Sequence, residues 1–146
     1  MISFNKYVIL LKIQIFIAGA SIMSLEIMNS RILAPYFGNS LYVWGSLIGV
    51  VLSGLSIGYY YGGRKADINP KYSYFCIILL GAGLYSILTT FGSTTIFSFV
   101  LSTNLGERFS PLLASTLILG VPSILLGMVS PYAIKLTTKK IEIILL

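Results

Sequence analysis

GLSIGYYYGGRKADINPK, residues 54–71, combines a glycine-striped apolar run, three tyrosines, two glycines and a burst of charge. Gly54, Gly58 and Gly62 recur every four residues, so on a helix they share one face. Gly45, Gly49 and Ser53 form a neighbouring stripe. Small residues at this spacing let another helix backbone approach closely, which is how helices associate in lipid. Tyr59, Tyr60 and Tyr61 fall where such a helix reaches the head groups, a depth favoured by amphipathic rings. Arg64, Lys65 and Lys71 then mark an aqueous loop, and Asn69 followed by Pro70 reads as an N-cap and first helical residue. The stretch is therefore expected to be a helix end, a tight turn and a helix start.

The rest of the chain supports lipid as the solvent. Of its 146 residues 56% are hydrophobic and 10% charged, and mean hydropathy is +0.92. Soluble domains carry about 25% charged residues. Four apolar stretches, at 10–33, 41–62, 72–92 and 112–134, reach the length of about 20 residues that a membrane-spanning helix needs. The expected fold is an all-α polytopic membrane bundle of four helices forming a single domain. STTIFSFVLSTNLGERFSP (93–111) has an apolar core too short to span, and reads either as an interfacial turn or as an extension of the third span. The N-terminal MISFNKYVILLKIQIFIAGAS imitates a signal peptide, yet Lys12 and Gln14 interrupt its apolar run and hydrophobicity continues through SIMSLEIM, so an uncleaved span is expected.

Charge distribution sets the expected orientation. With both termini and the 63–71 loop inside, Lys6, Lys12, Arg64, Lys65, Lys71, Lys135, Lys139 and Lys140 lie inside, and Arg31 and Arg108 outside. Eight against two favours both termini in the cytoplasm of a cell-membrane protein. The net charge of +6 is scattered along the chain, without the basic stripe that nucleic-acid binding requires.

Few residues carry chemistry. The chain has no His and one cysteine, Cys76, which leaves no Ser/His/Asp set, no intrachain disulfide and no Cys/His metal cluster. GAGLYS (81–86) resembles a phosphate loop but lies inside a span with no preceding strand. No cofactor site or catalytic residue is evident. Glu26 is the one acidic residue well inside a span, where an unpaired carboxylate is costly. Two readings stand: a site for a cation or proton, or a buried tie to Arg31 or to hydroxyls on another helix. Arg31 lies five positions on, beyond the three or four that place two side chains on one face. In GVPSILLGMVSPYAIKL (120–136), Pro122 and Pro131 remove backbone donors and are expected to bend the fourth helix. Gly127 would leave room beside the bend, and the freed carbonyls would either line a cavity or accept from Ser123 and Ser130.

Two segments, LEIMNSRILAPYFGNSLYVWGSLIGVVLSGLSIGYYYGGRKADINP (25–70) and PSILLGMVSPYAIKL (122–136), resemble the membrane region of spermidine-synthase-like membrane proteins, the fused facilitator/spermidine-synthase family. GGRKAD also resembles the loop between the second and third helices of major facilitator transporters. The family resemblance implies a facilitator-like bundle that works with a cytoplasmic aminopropyltransferase-like domain. That domain is not in this sequence, so no catalytic residue carries over, and the resemblance implies a split or truncated member with a separate soluble subunit. The alternative expectation is a small homo-oligomeric transporter or channel for a cationic solute.

Overall fold

The computed structural model describes residues 2–68 and 70–145, which form four long helices joined by short turns. These are α1 (Ile2–Phe37), α2 (Leu41–Ile68), α3 (Tyr72–Ser102) and α4 (Gly106–Leu145). No strand occurs among the described residues. Each helix contains one expected span and runs past it. Apolar runs mark where a helix meets lipid, whereas the helix itself continues as long as each N–H finds a carbonyl, and Lys, Glu, Ser and Thr do not prevent that. At 28 residues α2 is the shortest. Its length is about 42 Å at 1.5 Å per residue, more than the hydrocarbon thickness of about 30 Å.

Three expectations about helix limits are settled or corrected. Residues 93–102 extend α3, and the turn falls at 103–105, where Asn104 and Gly106 take positive φ of 48° and 80°. Residues 63–68 are the last turns of α2, so Arg64 and Lys65 stand on a helix and not in a loop. Asn69 lies outside the described residues. Pro70 precedes the helix it was expected to begin: the N-cap of α3 is Lys71, with extended φ −115° and ψ 132° and no capping side chain of its own. The cap comes from 61 residues away. The buried Tyr132 hydroxyl accepts from Lys71 N–H at 3.0 Å and donates to Lys71 C=O at 3.2 Å.

α4 is the centre of the bundle. It packs on α2, α3 and α1, while α1 also touches α2, and α2 and α3 make no extensive contact with one another. α2 and α4 run parallel: Gly54 faces Ser123, Gly62 faces Met128, and Asp67 meets Lys135. Gln14 Nε2 donates to Tyr72 Oη at 3.1 Å, joining the beginnings of α1 and α3. One apolar core, built on Leu33, Leu47, Phe97 and Ala114, lies at the α1–α2 turn. A second, built on Leu11, Phe75, Tyr132 and Leu136, lies at the α2–α3 turn.

The outer surface is apolar, with Phe16, Leu41, Leu88 and Phe91 exposed. Many serine and threonine hydroxyls donate within their own helices, as with Ser46 to Tyr42 C=O at 2.6 Å and Thr116 to Leu112 C=O at 2.7 Å. That is the economy a low-dielectric solvent demands. Four helices long and apolar enough to cross a bilayer fit a multi-pass membrane protein.

Candidate functional site

The glycine seam holds α2 against α4. A Cβ on Gly54 would meet Ser123 Cβ at 2.6 Å, one on Gly58 would meet Gly127 Cα at 2.9 Å, and one on Gly62 would meet Met128 Cα at 2.7 Å. Gly127 reciprocates, since a Cβ there would meet Leu55 C=O at 2.9 Å and Gly58 Cα at 3.3 Å. At Gly58 and Gly127 the backbones touch only because neither residue carries a side chain. Gly127 is thus a member of the seam, a role beyond the room beside a bend expected for it. The signal was its place in Gly120, Ser123 and Gly127, small residues spaced three and four apart. Gly45 and Gly49 behave differently. Nothing lies within 4 Å of a Cβ on either, so that stripe is bare within the chain.

α4 stays one continuous helix through Pro111, Pro122 and Pro131. Pro122 is fully buried. Ser123 Oγ, also fully buried, makes no hydrogen bond, against the reading in which it donates to a freed carbonyl. Packing against Gly54 occupies the Ser123 side chain instead.

Glu26 and Arg31 are not brought together. Glu26 is half-buried, on the side of α1 that carries the buried Ile22, Asn29, Ser30 and Leu33. Arg31 is exposed, because five residues turn it about 140° around the helix. Neither makes a hydrogen bond or ion pair with any described residue. The nearby polar groups are self-satisfied: Asn29 Nδ2 donates to Leu25 C=O at 2.8 Å, and Ser30 Oγ to Ile27 C=O at 2.7 Å.

Two grooves flank α3, one on each side, because it packs mainly on α4. The first, of about 650 Å³, runs between α1 and α3 over Leu126. Its lining is apolar apart from Ser21, Ser24 and Ser86, and Glu26 does not reach it. The second, of about 660 Å³, opens between α2 and α3 at the α2–α3 turn. Arg64, Lys65 and Lys71 line it together with Tyr61 and Tyr74, over a floor of Ile124 and Met128. Lys65 Nζ sits 5.0 Å from the Tyr74 ring centroid, a cation–π contact across the mouth. The walls are set by two ties. Tyr132 fixes the start of α3 on α4, and Lys135 Nζ holds Asp67 Oδ1 at 2.6 Å, fixing the end of α2 on α4.

Fold and surface together define a multi-pass helical bundle of the membrane type, with a basic groove at one end. No protein-family model, curated protein or solved structure matches the chain.

Proposed function

We propose that this chain is an integral cell-membrane module, with both termini in the cytoplasm, that anchors or cooperates with a separate spermidine-synthase-like subunit. The observation that carries the reading is the segregation of charge. The first part of α1, the end of α2 with Lys71, and the end of α4 hold eight of the ten basic residues, and the opposite end holds Arg31 and Arg108. The positive-inside rule assigns the basic end to the cytoplasm, where a soluble enzyme subunit resides. The resemblance of residues 25–70 and 122–136 to the spermidine-synthase-like family is the ground for naming that kind of subunit.

The competing reading is an oligomeric transporter or channel for a cationic solute. It draws on Glu26, whose carboxylate has no partner among the described residues. Glu26 lines neither groove beside α3, so the anchoring reading is preferred.

The test is a search of the neighbouring genes for an aminopropyltransferase-like protein and co-expression with it, followed by purification through a tag on the membrane chain. Cysteine labelling at Lys65→Cys and Arg108→Cys, in a Cys76→Ser background, accompanies it. A stable complex, with Lys65→Cys labelled only from the cytoplasmic side, is expected. A partner-free homo-oligomer that takes up spermidine into proteoliposomes would replace anchoring with transport.

A further inference from the structure

We propose that the groove between α2 and α3 is a binding site for an anionic phospholipid, with its phosphate held by Arg64, Lys65 and Lys71 and its acyl chains lying over Ile124 and Met128. The inference concerns the isolated chain and does not depend on the identity of any protein partner.

Three features of the groove lead there. The first is uncompensated charge. Among the described residues, three cations line it and no carboxylate does. The carboxylate nearest in sequence, Asp67, is already held by Lys135 on α4. A cavity of this sign attracts an anion, and Arg with two Lys and two tyrosine hydroxyls offers donors enough for phosphate oxygens.

The second feature is the floor. Ile124 and Met128 lie at the bottom, with Ile68 at the side. A free phosphate has no use for such a surface, whereas a glycerophospholipid carries charge and hydrocarbon at adjoining positions. The volume of about 660 Å³ lies within the roughly 300–1,000 Å³ of small-molecule sites. It suits a headgroup and the first methylenes of its chains, with the remaining chain running out between α2 and α3. That exit is open because these two helices make no extensive contact.

The third feature is depth and preorganisation. The cations stand just beyond the Tyr59–Tyr60–Tyr61 run of α2, at the level where aromatic rings meet head groups. Basic pockets between membrane helices on the cytoplasmic side are suited to anionic headgroups. The Lys65–Tyr74 contact and the Tyr132 clamp hold both cation-bearing segments, the end of α2 and the start of α3, before any lipid arrives.

The experiment is native mass spectrometry of the purified full chain, titrated with dioleoylphosphatidylglycerol and, separately, dioleoylphosphatidylcholine. Three cations at about one kcal/mol each predict a preference for the anionic lipid of about 100-fold. Arg64→Gln/Lys65→Gln/Lys71→Gln should remove that preference, while Arg31→Gln/Arg108→Gln, at the other end, should keep it. The wild-type comparison of the two lipids needs no variant, so the proposal stays testable if the triple variant does not fold. Equal binding of the two lipids overturns the proposal, as does full preference in a folded triple variant. Displacement by inorganic phosphate at concentrations similar to those of the lipid would make this a free-anion site. Displacement by an oligoglutamate peptide at lower concentrations than the lipid would make it a docking site for an acidic protein segment. Either result replaces the lipid as the occupant.

Discussion

α2 carries two stripes of small residues, one turn apart in character but alike in composition. Gly54, Gly58 and Gly62 are pressed against the α4 backbone, whereas a Cβ on Gly45 or Gly49 would meet nothing within 4 Å. The stripes differ in what faces them. Opposite the first, α4 offers Gly120, Ser123 and Gly127 in parallel register. Beside the second lies an open groove, lined by Gly49 and Ser53 together with Leu112, Thr116 and Ile124. Small-residue spacing on one helix therefore marks a face that permits close approach. Contact needs a second small-residue run in register.

The largest expected effect comes from breaking the packed stripe. Gly58→Leu places a side chain where Gly127 Cα stands, and a backbone cannot swing aside as a side-chain tip can. Overpacking typically costs about 1–3 kcal/mol, occasionally more, and this site should reach at least the upper end. Thermal melts in detergent should show a large loss of stability, and a wild-type melt would remove the seam from the account.

A smaller loss is expected when the register of the seam is kept but its end is loosened. Tyr132→Phe retains the ring in the lower core and deletes both bonds to Lys71. The cost should be about 1–2 kcal/mol, with faster hydrogen exchange confined to the first turn of α3. Uniform acceleration through α3 and α4 would mean that the hydroxyl supports the whole bundle, and unchanged exchange would mean that the ring, and not the hydroxyl, is what matters there.

The smallest effect is expected at the bare stripe. Gly49→Leu should leave the stability of the isolated chain within about 0.5 kcal/mol of wild type. A large destabilisation would show that Gly49 is packed after all and erase the contrast between the stripes. Glycerol-gradient sedimentation of the same variant sharpens the comparison, because a change in oligomeric state would reveal that Gly49 meets another copy.

Much of this architecture was legible beforehand, and the reasons for the remainder are physical. The four spans were readable because lipid requires about 20 apolar residues in one run. The line of Gly54, Gly58 and Gly62 was readable because helical periodicity is local. Which stripe is packed was not, since that depends on α4, whose small residues lie more than 60 positions away. The helix limits ran past the apolar segments because hydrogen bonding, and not hydropathy, ends a helix. GGRKAD looked like a loop for that reason. The cap of α3 was misplaced onto Asn69 and Pro70 because the group that caps it belongs to Tyr132, far away in the chain. The grooves beside α3 were invisible for the same cause, since they follow from α3 packing on α4 with little support from α1 or α2. For Glu26, sequence reasoning identified an unusual group, and the structure separates it from Arg31 without supplying another partner.

The central claim is that α2 and α4 lie side by side in parallel with Gly63 facing Pro131, and disulfide trapping tests it most directly. A Cβ on Gly63 stands 3.9 Å from Pro131 Cβ, within the roughly 3.5–4.5 Å that a disulfide spans. In a Cys76→Ser chain with a protease site inserted at the exposed 103–105 turn, Gly63→Cys/Pro131→Cys should oxidise readily. Its two fragments should then remain joined after cleavage until reductant is added, while those of Gly45→Cys/Pro131→Cys should separate without it. Free fragments from the first pair and joined fragments from the second would place α2 antiparallel to α4, and the seam described here would be wrong.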